Sequence, residues 1–158
     1  MARDAVVDIL GIEPALATAF RDLNVEWLDR YFRVEPIDEK ILDNPAEYVL
    51  ADGGQILFAG IQGNIVGTVA LKHHGNGELE LTKMAVTSGF QGSGIGRKLA
   101  LACIEEFRAR KGRKLYLESH SSLEAALALY ESLGFEHAEP PQASEYERAD
   151  VYMIYQAP

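Results

Sequence analysis

The sequence predicts a mixed α/β (α+β) fold, with elements in the order β-α-α-β-β-β-α-β-α-β-β and a mostly antiparallel sheet of about seven strands with four helices. Three observations predict it. Short apolar runs in the middle of the chain are joined by Gly- and Asn-containing turns, the mark of antiparallel hairpins. Flanking segments carry apolar residues at spacings of three and four, which place them on one helical face. Glycines then end the later helices just before further strand-like runs, so helices and strands share one layered domain.

In order, Ala5-Val6-Val7-Asp8-Ile9-Leu10 reads as a short strand closed by Gly11. Pro14 opens a helix whose apolar face is Leu16, Phe20, Leu23, Trp27 and Tyr31. A second short helix starts near Asp38 and stops at Asn44-Pro45, because the residue before proline resists helical dihedrals. Gln55 to Ala59, Ile65 to Leu71 and Glu78 to Thr87 are strands, separated by Gln62-Gly63-Asn64 and Gly75-Asn76-Gly77 turns. In the third of these runs, the fourth strand overall, Leu79 and Leu81 share one face but Met84 and Val86 share the other. A β-bulge near Thr82-Lys83 accounts for that slip of phase, and so does a strand end buried on both faces.

A long helix follows to about Lys111, with Ile95, Leu99, Cys103 and Phe107 as its buried stripe and Gly112 as its stop. Lys114 to Glu118 is a strand. Ser121 and Glu124 have capping-box spacing for a helix whose core face is Leu123, Ala126, Leu127, Tyr130 and Leu133, ended by Gly134. Phe135 to Ala138 and Asp150 to Tyr155 are the last strands.

With 158 residues, 47% hydrophobic and 25% charged, the chain reads as one globular domain over 1–158. No stretch has the length of a membrane span, Met1-Ala2-Arg3-Asp4 lacks the apolar run of a secretory signal, and Cys103 stands alone. These features fit a cytoplasmic protein without disulfides or membrane contact. The net charge of −9 argues against a nucleic-acid binder. Seven of the fifteen Lys and Arg residues nevertheless lie between Arg97 and Lys114, which fits either a small polyanionic ligand or a solvated helix face.

The strongest local signal is Gln91-Gly92-Ser93-Gly94-Ile95-Gly96, set between a strand and a helix N-terminus. Unpaired amides and the positive end of the helix dipole favour an anion there, and glycines admit phosphate oxygens where a Cβ would obstruct them. It is not a P-loop, since no Gly-Lys-Ser/Thr follows, and three hairpin-linked strands before it disfavour a dinucleotide fold.

Glu80-Leu81-Thr82-Lys83-Met84-Ala85-Val86 with Gln91 to Leu99 resembles the acetyl-CoA motif of the GNAT acetyltransferase superfamily. Leu115-Tyr116-Leu117-Glu118-Ser119-His120 with Ala126 to Phe135 is similar to the family's second block, ending in Leu-Tyr-x-x-x-Gly-Phe. The element order agrees, so the resemblance spans nearly the whole chain. It implies an N-acetyltransferase that uses acetyl-CoA as acyl donor and no metal. Its acceptor would be a small-molecule primary amine attacking directly in a ternary complex. Homodimers are common in the family.

By position, the resemblance assigns Met84, Ala85 and Val86 to the pantetheine arm, and Gln91, Gly92, Ser93, Gly94, Ile95 and Gly96 to the pyrophosphate, with the amides of Arg97 and Lys98. Nearby basic residues are candidates for the 3′-phosphate. His120 stands where the family often has Asn, a polar contact to CoA, and is a candidate for that contact here. Glu80 is the candidate base, with Glu78 and Glu118 as fallbacks, and Tyr130 the candidate acid toward the CoA sulfur. Cys103 fits plain packing better than nucleophilic catalysis. Asn24, Trp27, Tyr31 and Phe32 are candidates to line the acceptor, although Trp27 and Tyr31 also fit the core. Arg148 could grip a substrate carboxylate, or pair with Glu147 or Asp150. Two alternatives stand beside this reading: acetylation of a protein or peptide, and a non-catalytic acyl-CoA sensor, against which Glu80 and Tyr130 count.

Overall fold

A computed structural model describes residues 7–157. One sheet of seven strands runs in the order β1-β2-β3-β4-β5-β7-β6. The strands are β1 (Asp8–Gly11), β2 (Gln55–Ile61), β3 (Asn64–His73), β4 (Glu78–Val86), β5 (Lys114–Ser119), β6 (Phe135–His137) and β7 (Val151–Tyr155). The α-helices are α1 (Ala17–Tyr31), α2 (Pro36–Asp43), α3 (Ile95–Ala109) and α4 (Glu124–Leu133), in the predicted order. Ala5 and Val6 of the expected first strand lie outside the described residues.

Strand alternation puts an apolar layer on each side of the sheet. Ile56, Phe58 and Ala70 face α1, α2 and a π-helical turn at Ala46–Leu50. Val69, Leu71, Leu79, Leu81 and Leu115 face α3 and α4. Cys103 is fully buried in that second layer, and burial first, then Glu106, pushes its thiol up to about 12, so it is a packed residue and not a nucleophile. No helix among the described residues is long and apolar enough to cross a membrane.

Several boundaries differ from expectation. Pro14–Leu16 is a 3-10 turn, and the α-helix proper starts at Ala17. The second helix begins at Pro36, whose fixed φ suits a first turn. α3 ends at Ala109, and Lys111, with φ of 55°, carries the left-handed residue expected of Gly112. Gly112 is required sterically, because a Cβ there would meet the Phe107 ring at 2.5 Å. The expected Ser121–Glu124 capping box does not form. α4 is preceded by Leu123 without a side-chain cap, and Ser121 binds Asp150 instead, through its amide and its hydroxyl, each at 2.8 Å.

The fourth strand does carry a bulge. Thr68 pairs with Ala85 and Ala70 with Thr82, so Lys83 and Met84 stand opposite the single residue Val69. The extra residue restores the phase: Leu79 and Leu81 belong to the α3-side cluster, and Met84 and Val86 pack against the same cluster. A second irregularity, between Ala59 and Gly60, has no counterpart in the apolar pattern.

β4 and β5 are the one parallel pair, and they touch briefly. Their register covers Glu78 to Glu80 against Lys114 to Tyr116 and then stops. Beyond it the strands splay, and the sheet opens.

Candidate active site

The splay makes one wall-to-wall cleft of about 720 Å³. β4 supplies Glu80 to Met84 and Val86, β5 supplies Leu117 to Ser119, α1 overhangs one end, and the glycine loop closes the other.

Gly92 and Gly94 have φ of 80° and 85°, the left-handed region that glycine enters without a Cβ penalty. Gly94 is the N-cap of α3 and no side chain caps it, so the first-turn amides of Ile95, Gly96 and Arg97 stay open to an anion. The amide of Lys98 is already committed to the Gly94 carbonyl at 3.1 Å, so it is not part of that cradle. Gly92, Gly94, Gly96 and Arg97 line the cleft, with the Arg97 guanidinium donating to the Ser132 hydroxyl at 3.0 Å, while Ile95 packs in the core and the Ser93 hydroxyl donates back to the Phe90 carbonyl. Met84 and Val86 face the cleft, and Ala85 points to the opposite, buried side. Gln91 ties strand to loop by donating to the Val86 carbonyl at 3.1 Å.

Arg108, Arg110, Arg113 and Lys114 lie at the far end of α3, about 20 Å from its N-terminus at 1.5 Å per residue. There they bind Tyr155, Glu106, Glu78 and the Gly53 and Asn76 carbonyls. The basic segment therefore divides, and Arg97 and Lys98 are its members near the loop.

Glu80 and Tyr130 line the same cleft from β4 and α4. Glu80 is 7% exposed, and His74 Nε2 donates to its Oε1 at 2.8 Å, which fixes the carboxylate's orientation. Tyr130 packs edge-on against Phe135, and burial above all, with Cys103 adding to it, pushes its phenol up to about 12. It therefore stays protonated across the neutral range, as a proton donor must. Of the fallback carboxylates, Glu78 pairs with Arg113 at 2.8 Å outside the cleft, whereas Glu118 lines it, accepts from Ser144, and is raised chiefly by its own burial.

The α1 end of the cleft is framed by Asn24, Trp27, Tyr31 and Phe32, the residues expected to line the acceptor. Tyr31 is 41% exposed and stands outside the core, whereas Trp27 is half-buried and packs against the Phe20 and Leu28 cluster as well as lining the cleft. Their rings lie 5.2 Å apart, Trp27 is 5.7 Å from Phe32, and Phe32 meets His120 edge-on at 5.4 Å. Asn24 donates to the Phe20 carbonyl at 3.0 Å. His120 lines the cleft with its Nδ1 accepting from the Ser122 amide at 3.0 Å.

Arg148 also lines the cleft, but its partners differ from those expected. It grips Asp38 with two nitrogens at 2.8 and 2.9 Å and Glu35 at 3.0 Å, while Glu147 pairs with Arg33 and Asp150 with Ser121. Asp38 is wholly buried and also accepts from Lys83 Nζ at 2.5 Å and the Glu35 amide at 2.9 Å. Lys83 reaches the Tyr146 hydroxyl as well, at 3.0 Å. Sequence reasoning passed over Glu35, Asp38, Lys83 and Tyr146. The phase slip at Lys83 and the Glu35-Pro36-x-Asp38 helix start mark three of these positions locally, but nothing in the sequence links them to one another or to Tyr146.

The sequence model of the Acetyltransferase (GNAT) family matches residues 18–135. The chain belongs to the GNAT acetyltransferase family. An uncharacterised N-acetyltransferase of Escherichia coli K12, YjgM, is 30% identical over 127 residues, covering 78% of this chain and 76% of that one. The ribosomal protein bS18-alanine N-acetyltransferase of the same organism is 44% identical over 61 residues, 39% of this chain and 41% of that one. Among solved structures, a GNAT acetyltransferase from Staphylococcus aureus Mu50 superposes with a TM-score of 0.84 at 21% identity, covering 95% of this chain and 98% of that one. As a GNAT member, the chain is an acetyl-CoA-dependent acyltransferase.

Proposed function

We propose that this GNAT enzyme, acting as one catalytic unit, acetylates the primary amine of a small molecule by direct attack in a ternary complex. The single observation that carries the reading is the placement of Glu80 and Tyr130 on two walls of one cleft that ends on the open amides of α3. Acetyl-CoA supplies an activated acyl group as a thioester. The residues present fit it: Gly92 and Gly94 leave open space for phosphate oxygens, and β4 beyond the bulge has no β5 partner to occupy its edge.

Glu80, held by His74, takes the proton from the incoming ammonium, directly or through one water, and so makes the nucleophile neutral. The Tyr130 hydroxyl delivers a proton to the departing thiolate sulfur. The aromatic arc of Trp27, Tyr31 and Phe32 shields the acceptor from water, and Met84 to Val86 hold the arm of the donor. An acidic protein with net charge −9 attracts cationic amines.

A second reading, acetylation of a protein or peptide N-terminus, draws on the 61-residue match to the bS18-alanine enzyme. Thiol release from acetyl-CoA across a panel of amines, amino acids and peptides separates the two. Release stimulated by small amines supports the first reading, and release stimulated by peptides alone transfers support to the second. CoA binding without stimulated release by any acceptor would overturn both.

A further inference from the structure

Lys83 carries two energetic burdens at one position. Its φ of 55° lies in the left-handed region, which a residue with a Cβ enters only under strain. Glycine would take that conformation freely. Its ammonium group is also withdrawn from water, with 3% of the side chain exposed, and a buried charge costs several kcal/mol unless well paired. A bulge can itself require the left-handed conformation, but it needs neither a long side chain nor a buried charge there.

Both are explained by what the ammonium reaches. It donates to Asp38 Oδ1 at 2.5 Å and to the Tyr146 hydroxyl at 3.0 Å, and sits 4.4 Å from the centre of the Tyr146 ring. Asp38 belongs to the first turn of α2, and Tyr146 to the segment between β6 and β7. Arg148 binds the same Asp38 carboxylate with two nitrogens, and Glu35 accepts from the Glu147 amide at 2.8 Å. One buried carboxylate thus fastens three chain segments together, and Lys83 is the strand's share of that fastening.

The fastening falls at the break in β4. Glu80 precedes the bulge and Met84 to Val86 follow it, so the backbone angle at Lys83 sets where one stands relative to the other. We infer that Lys83 is a positioning residue of the transferase: through Asp38 and Tyr146 it holds the bulge that aligns the donor-binding end of β4 with Glu80. This rests on reading the cleft as the acetyl-CoA site.

The test is calorimetric titration of the full chain with CoA, together with steady-state thiol release, on Lys83→Met, Lys83→Gly and Lys83→Arg. Lys83→Met keeps the aliphatic stem and loses the tie. Lys83→Gly relieves the backbone and loses the tie. Lys83→Arg keeps a cationic donor toward Asp38. Loss of one charge-assisted hydrogen bond corresponds to about a tenfold effect or more. Lys83→Met and Lys83→Gly should each raise the CoA Kd about tenfold and lower kcat as well, and Lys83→Arg should recover most of both. Lys83→Gln is carried alongside so that a folded, uncharged variant is in hand. A folded uncharged variant with wild-type Kd and kcat, or one that loses only Tm, would overturn the inference. If the wild type fails to bind CoA, the reading of the cleft falls first and this inference with it.

Discussion

The Tyr31 hydroxyl donates to Gln91 Oε1 at 3.3 Å, joining the last turn of α1 to the glycine loop across 60 residues of sequence. Gln91 donates in turn to Val86, so α1, the loop and the splayed strand share one short chain of hydrogen bonds. The bond is exposed, and a net hydrogen bond of this kind contributes about 1 kcal/mol. Tyr31→Phe should therefore raise the KM for acetyl-CoA by about two- to fivefold with kcat nearly unchanged. A drop in kcat at constant KM would place Tyr31 in acceptor chemistry instead.

Gly96 separates folding from binding. A Cβ there would stand 3.6 Å from Met84 and 3.7 Å from Leu129, ordinary contacts, and its φ is not left-handed. Alanine in a helix is worth about 0.5–1 kcal/mol over glycine, so Gly96→Ala should keep or raise Tm. The added methyl projects into the donor groove, however, and should weaken CoA binding by about tenfold. Calorimetry and thermal melts on the same sample check both halves.

Tyr130→Phe removes the proposed proton donor without opening a cavity. It should lower kcat by about a hundredfold while CoA affinity stays near normal. Wild-type kcat in this variant would remove Tyr130 from the acid role. Glu80→Gln should lower kcat/KM by a similar factor, and a wild-type value in this variant would remove Glu80 from the base role.

Asp38 links the cluster to acid stability. Burial opposes its charge, but donors from Arg148 and Lys83 outweigh that and hold the carboxyl down at about 2, from 3.8. A group depressed in the folded state stabilises it above the unfolded value, and that contribution drains away as pH falls from about 4 toward 2. It amounts to about 2 kcal/mol. Urea unfolding at about pH 6 and about pH 3 should show wild type losing more stability than Asp38→Asn over that interval. Parallel losses would mean that other carboxylates govern the acid limb.

Much of this was legible locally. Strand alternation has period two, so the misfit of Leu79 and Leu81 with Met84 and Val86 marked an irregularity near Thr82-Lys83, which those residues alone fitted to a bulge or to a strand end buried on both faces. The glycine loop was legible because its chemistry is backbone chemistry. Trp27 and Tyr31 were harder, since helical spacing puts them on the stripe of Phe20 and Leu23 and cannot tell where the sheet beneath ends. Both line the open cleft, and Trp27 packs against the core as well. The Asp38 cluster was not legible, because Lys83 lies 45 residues from Asp38 and Arg148 lies 110 away, and no local period reports such pairs.

Three residue pairs join β4 to β5, and across that seam the sheet is two half-sheets, β1 to β4 and β5 to β7. A molecule lying along the open edges bridges both halves and acts as a removable staple. Its occupancy stabilises the native state by RT ln(1 + [L]/Kd), with the gain concentrated at the seam. Amide exchange at Leu117 to Ser119 should then slow with donor concentration more than exchange in β2, making this segment a built-in gauge of cosubstrate supply.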